Sequence, residues 1–140
     1  MTIVVLALLA LTTVVGLVHR ARYGRLRAAG GDLPAGLLSP ARDTVTLLHF
    51  SSATCAPCRR VRAVCADLAD EFAAAGPGGG GGVRHVELDA DEHLDAVRDL
   101  GIWRLPTLLV LDRRGNIAKR TVGVPDRASL RATVTEVLAA

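Results

Sequence analysis

Aromatic side chains are scarce in this chain: one Trp, one Tyr and two Phe in 140 residues. Little is available to stack on bases, which argues against a nucleic-acid binder built on aromatic platforms. Cysteine is scarce too. Three thiols cannot staple a disulfide scaffold, and their odd number leaves at least one unpaired. Most of the chain lacks an excess of either charge, since residues 43–140 hold 12 basic and 13 acidic side chains. The pI near 9.1 comes from residues 19–42, where five Arg face one Asp. So short a basic segment is not the footprint of a nucleic-acid-binding domain. Half the residues are hydrophobic, which excludes a disordered chain. The length leaves room for one ordinary domain and little more.

One long apolar run is present, at the start. Thr2 to Val18 contains no charge and no Pro. As a helix it would span about 25 Å, the short end of what crosses a bilayer. Its Thr hydroxyls can bond back to the helix. Arg20, Arg22, Arg25 and Arg27 follow with no acid among them. A cleaved signal peptide wants its positive charge before the apolar run. Basic residues after the run instead mark a signal anchor whose downstream chain stays in the cytoplasm. The expectation is a single-pass anchor over 1–18, a basic juxtamembrane segment and linker over 19–43, and one domain over 44–140. Tyr23 and the Arg side chains suit the headgroup layer, and Leu37-Leu38 can pack loosely on the domain. Beyond the Gly and Pro residues that punctuate 28–43, a second Gly tract, Gly76 to Gly82 around Pro77, is expected as a flexible surface connection. It lacks the Lys-Ser/Thr of a phosphate loop.

From Thr44 the pattern is a β-α-β-α-β-β-α domain. TVTLLHF reads as a buried strand. Val61, Val64, Cys65, Leu68 and Phe72 fall on one helical stripe. Residues 83–89 form a second strand, and Leu94, Val97 and Leu100 a short helix that Gly101 ends. Residues 107–111 and 117–122 are a hairpin around Asp112 to Asn116, and Asp126 caps a last helix. The first two strands need a helical crossover and are therefore parallel.

Between the first strand and helix lies Cys55-Ala56-Pro57-Cys58. A thiol at a helix N-terminus meets free N–H groups and the positive end of the dipole, which stabilise its thiolate. Cys55 is thus the expected attacker and Cys58 the inward-facing resolving thiol. Zinc sites also use this spacing. Cys65 is two turns beyond Cys58, about 10 Å along the helix and too far for a disulfide; it reads as core. Arg59 and Arg60 read as a solvated face.

A second signature decides between these. Gly101-Ile102-Trp103-Arg104-Leu105-Pro106-Thr107 precedes a strand about fifty residues on. With LLHFSSATCAPCRRV, VELDAD and the Gly123 region in order, the chain resembles the thioredoxin family from Thr44 to its end. The resemblance implies an α/β thioredoxin-like fold, a central sheet flanked by helices, here preceded by one transmembrane helix. It implies thiol–disulfide exchange through a Cys55–Cys58 redox disulfide without metal or organic cofactor. It implies a cis peptide before Pro106, which sets the backbone of Leu105 beside the dithiol for a substrate strand, with Thr54, Trp103 and Gly123 as further substrate contacts.

The departures are informative. Thr54 stands where the family usually has Trp, Ala56 where it has Gly, and Ser51-Ser52-Ala53 replaces a Trp-containing segment. His49 stands where the family has a buried Asp, and His85 aligns with its Lys partner. An imidazole can move a proton at the resolving thiol near neutral pH; the alternative is a core histidine satisfied by backbone. Trp103 is expected to fill the groove beside Pro106, the alternative being that it packs against the domain surface. The family's first strand and helix have no clear counterpart in residues 24–43, so a trimmed domain is expected. The functional expectation is a membrane-tethered reductase of protein disulfides, restored by a donor such as a thioredoxin reductase or a membrane dithiol carrier, with no nucleic-acid partner. The rivals are an extracytoplasmic reductase resembling those of cytochrome maturation, and a redox sensor or binding module that does not turn over.

Overall fold

The computed structural model describes residues 1–39, 41, 43–74 and 82–140. Most of the second Gly tract lies outside them; Gly82 opens a strand.

The apolar run forms helix α1, Thr2–Arg22, with no buried residue. By length and composition it is able to cross a membrane, with a mean hydropathy of 2.4 over its best window. Thr12 and Thr13 donate their hydroxyls to the Leu9 carbonyl at 2.9 and 2.8 Å, so neither adds an unsatisfied polar group. The helix runs four residues past Val18 because His19 to Arg22 hold no breaker. It stops where Tyr23 turns extended and Gly24 takes φ +79°.

Five strands form one sheet in the order β1-β5-β4-β2-β3. They are β1 Arg27–Ala28, β2 Thr44–Ser51, β3 Gly82–Asp89, β4 Thr107–Leu111 and β5 Ile117–Val122. As expected, β2 and β3 are parallel and β4–β5 is an antiparallel hairpin. Residues 45–51 of β2 are all buried, because strands flank it and both faces are covered. Its alternation sends Val45 and Leu47 to a cluster with Val61, Cys65 and Leu68 of α2 (Cys58–Ala74) and Leu130, Val134 and Val137 of α4 (Arg127–Ala139). Leu48 and Phe50 go to the opposite face, with Ala96 of α3 (Leu94–Asp99), Ile102 and Leu109. Asp126 caps α4 by accepting from the Ser129 N–H at 2.9 Å.

The linker differs from expectation. Arg27 and Ala28 pair with Arg120 and Lys119 as an edge strand, and Ala29, Leu33, Leu37 and Leu38 pack on the second core cluster. A trimmed sheet still needs its second face closed, and these side chains help α3 to close it.

Candidate active site

Register assembles the site. Phe50 lies opposite Thr107, and Thr107 opposite Val122. The segments that continue from this row, 52–57, 103–106 and 123–125, therefore gather at one end of the sheet.

On the first segment, Cys55 and Cys58 form a disulfide with Cα atoms 5.4 Å apart. The Cys55 N–H donates to the Ser52 carbonyl at 3.1 Å, and the Cys58 N–H to the Cys55 carbonyl at 3.2 Å. This turn delivers the chain into α2, which begins at Cys58, three residues later than the cap position expected for Cys55. Cys58 is 1% exposed, Cys55 is half-buried, and Thr54, Ala56, Arg59 and Arg60 are exposed. The one thiol that an incoming group can reach is Cys55. Cys65 is fully buried and free, and burial pushes its thiol up to about 12.

On the second segment the Leu105–Pro106 peptide is cis. Thr107 Oγ1 donates to the Arg104 carbonyl at 2.7 Å, and the Gly123 N–H to the Pro106 carbonyl at 2.8 Å. Pro106 is buried and Leu105 half-buried. Trp103 corrects the expectation: it is 91% exposed and fills no groove. Ile102, beside it, takes the core position at 6% exposure, so the next side chain along the loop points to solvent. Gly123 is buried rather than open to a substrate. Its φ is +97°, and a Cβ there would come within 2.4 to 2.6 Å of the Tyr23 ring.

Beneath the dithiol helix, His49 is wholly buried. Neither ring nitrogen has a hydrogen-bond partner among the described residues, so it is not the backbone-satisfied core histidine of the alternative reading. Its ring stacks on His85 at 5.9 Å, which brings together the two positions aligned with the family's Asp and Lys. Burial, the larger effect, against the opposing Glu87 carboxylate lowers His49 to about 4, so the imidazole is neutral near pH 7. Desolvation lowers His85 as well.

Two further members of this cluster were not expected from sequence. Glu87 Oε1 lies 4.0 Å from His49 Nδ1. Arg62 grips the same carboxylate with two N–H groups, at 2.5 and 2.7 Å, and holds it down at about 2. The signal for Glu87 was its place two residues from His85, on the same face of a strand. His49, His85 and Glu87 each offer one ligand atom within 4.8 Å of the others. A metal there would compete with Arg62 for the carboxylate.

Comparison with known proteins agrees with this geometry. Residues 38–136 match the family model described as Thioredoxin. The chain belongs to the thioredoxin family. It is 29% identical to thioredoxin from Bacillus subtilis over 96 residues, covering 69% of this chain and 85% of that one. It is 30% identical to thioredoxin from Haemophilus influenzae over 88 residues, covering 63% and 75%. Among solved structures, chloroplastic thioredoxin z matches with a TM-score of 0.59 at 25% identity, covering 71% of this chain and 82% of that one. Mitochondrial thioredoxin 3 from Saccharomyces cerevisiae shares the fold with a TM-score of 0.55 at 18% identity, covering 69% and 81%. Thioredoxins are thiol–disulfide oxidoreductases, and this thioredoxin-family chain is one by its fold and its relatives.

Proposed function

We propose that the chain is a membrane-tethered reductase of protein disulfides whose dithiol works on the cytoplasmic side. The observation that carries this is a Cys55–Cys58 pair with one half-buried and one buried sulfur, at the sheet end that also holds the cis Leu105–Pro106 peptide. In the reduced chain, the Cys55 thiolate attacks a substrate disulfide. One substrate sulfur leaves as a thiolate and takes a proton, and a mixed disulfide remains. Cys58 then loses its proton and attacks Cys55, which frees the second substrate thiol and closes the Cys55–Cys58 disulfide. The substrate gains two electrons and the chain loses two. A dithiol donor, a thioredoxin reductase or a membrane carrier, returns them.

The residue roles follow from placement. The first-turn N–H groups of α2 favour the Cys55 thiolate. The Leu105 backbone pairs with an extended substrate segment. Thr54 and Trp103, both exposed, border that segment. Gly123 keeps Pro106 in place through its N–H. Neutral His49 accepts the Cys58 proton, directly or through one water. The anchor is α1, and the arginines after it keep the domain in the cytoplasm.

Turnover tests this reading. The full chain in lipid nanodiscs, supplied with a dithiol, should reduce insulin disulfides, and Cys55→Ser should abolish the reaction. A wild-type chain that reduces no disulfide would overturn the reading in favour of a sensor or binding module.

A further inference from the structure

Outside the dithiol, unpaired charge concentrates where α1 ends. A cavity of about 440 Å³ opens there, lined by His19, Arg22, Arg25 and Arg27 of the basic juxtamembrane segment, a collar at the end of the helix, and by Arg104 and Arg120 of the domain. Its remaining lining includes the apolar Ala28, Ala29 and Val122, and no acidic side chain. Arg120 is committed, donating to the Leu100 and Gly101 carbonyls at 2.7 and 2.8 Å. Arg104 Nη1 lies 2.9 Å from His19 Nε2; a guanidinium only donates, so this imidazole nitrogen accepts. The guanidinium groups of Arg22, Arg25 and Arg27 have no hydrogen-bond or ion-pair partner among the described residues.

Like charges gathered around one cavity repel one another, and an anion relieves that repulsion. The guanidinium fork matches phosphate oxygens in pairs. We propose that this cavity takes the phosphate of an anionic phospholipid headgroup. A headgroup fits better than free phosphate because the cavity has apolar walls and sits at the end of α1, the one helix among the described residues able to cross a membrane. The collar is fixed to the domain, with the Gly24 N–H donating to the Val122 carbonyl at 2.8 Å and β1 paired to β5. Arg104 adjoins Leu105 and Pro106. A lipid held by Arg104 therefore draws the cis-proline loop to the bilayer surface, and the reductase meets disulfides that lie close to the membrane. This inference rests on the anchored reading above.

Trp103 is the only Trp and lies exposed beside Arg104, so it reports the contact. The full chain goes into nanodiscs of phosphatidylcholine, with or without phosphatidylglycerol, each holding a headgroup spin-labelled lipid. Trp103 quenching should be at least about twofold greater with phosphatidylglycerol and should weaken in high salt. An interfacial Arg is worth about fivefold in affinity for an anionic surface, so R25Q/R104Q should sharply reduce the difference. R25K/R104K, which keeps the charge, should retain part of it. Equal quenching in both membranes, or in wild type and R25Q/R104Q, would overturn the inference. If excess inorganic phosphate reproduces the effect in phosphatidylcholine discs, the ligand is free phosphate and the lipid assignment is wrong. Carbonate extraction is scored first. Release of the chain refutes the anchor and the inference together, whereas retention with unchanged quenching refutes the inference alone.

Discussion

His49 stacks on His85 with ring centroids 5.9 Å apart, and neither nitrogen of His49 has a hydrogen-bond partner among the described residues. An imidazole so buried costs stability, because an unmet buried polar group loses its hydration without return. Proton transfer at Cys58 would use that unmet capacity. His49→Ala should therefore slow resolution of a preformed mixed disulfide more than it slows the first attack by Cys55. General-base assistance is typically worth about 10²–10⁴-fold for a base whose pKa lies near the working pH; burial holds His49 at about 4, so a slowing at or below the low end of that range is expected. Stopped-flow timing of both steps checks this. An unchanged resolution rate, with only a drop in melting temperature, would leave His49 a packing residue.

The same burial makes stability depend on pH. His49 falls from its ordinary 6.5 to about 4 in the folded chain. Between these values the unfolded state binds the proton and the native state does not. The contribution is thus fully present above pH 6.5 and lost as pH falls towards 4. It amounts to about 2–3 kcal/mol, and His85, lowered likewise, acts in the same direction. Denaturant melts of the full chain from pH 7.5 to 4.5 should show this loss. His49→Phe should flatten the slope, and an equal slope in that variant would place the loss elsewhere.

The collar makes a third prediction. A Cβ on Gly123 would meet the Tyr23 ring at 2.4 Å, in a backbone with φ +97°. Gly123→Ala should destabilise the chain by about 1–3 kcal/mol. Combining it with Tyr23→Ala should recover the steric part and leave the backbone part, a non-additivity that a double-mutant cycle reads. Strict additivity would mean that Tyr23 does not rest on Gly123 in solution.

These contacts also mark what the sequence made legible. Both redox segments were readable because their chemistry is local: CAPC between a strand and a helix, and WRLPT before a strand. The sheet is legible in short β-branched and apolar runs set between helical stripes. His49 and His85 are legible through the family resemblance, whereas Glu87 is not, because nothing local to its strand shows that Arg62 of α2 and His49 of β2 converge on its carboxylate. The pairing of Arg27 with Arg120 was out of reach, since two residues carry no period and their partner is distant in the chain. The same distance hid Tyr23 over Gly123. Trp103 departs from expectation because Ile102 beside it takes the core position, which turns the next side chain along the loop to solvent.

A fourth prediction concerns the side of the membrane, and rests on Arg20, Arg22, Arg25 and Arg27 following the apolar run. An export-dependent phosphatase fused after Ala140 should be inactive, and a cytoplasmic reporter at the same point active. High phosphatase activity would move the domain to the outside and favour a reductase of the cytochrome-maturation type.

The proposed mechanism turns on the division of labour between the thiols, which covalent trapping reads out. Membranes carrying Cys58→Ser are quenched with acid and alkylated, then compared with membranes carrying Cys55→Ser. Mixed disulfides with substrate proteins are expected in the first, through Cys55, and none in the second. Cys65→Ala added to either should change nothing, because that thiol is fully buried and held near 12. Trapping through Cys58, or no trapping in Cys58→Ser membranes, would contradict the assignment of Cys55 as the attacking sulfur.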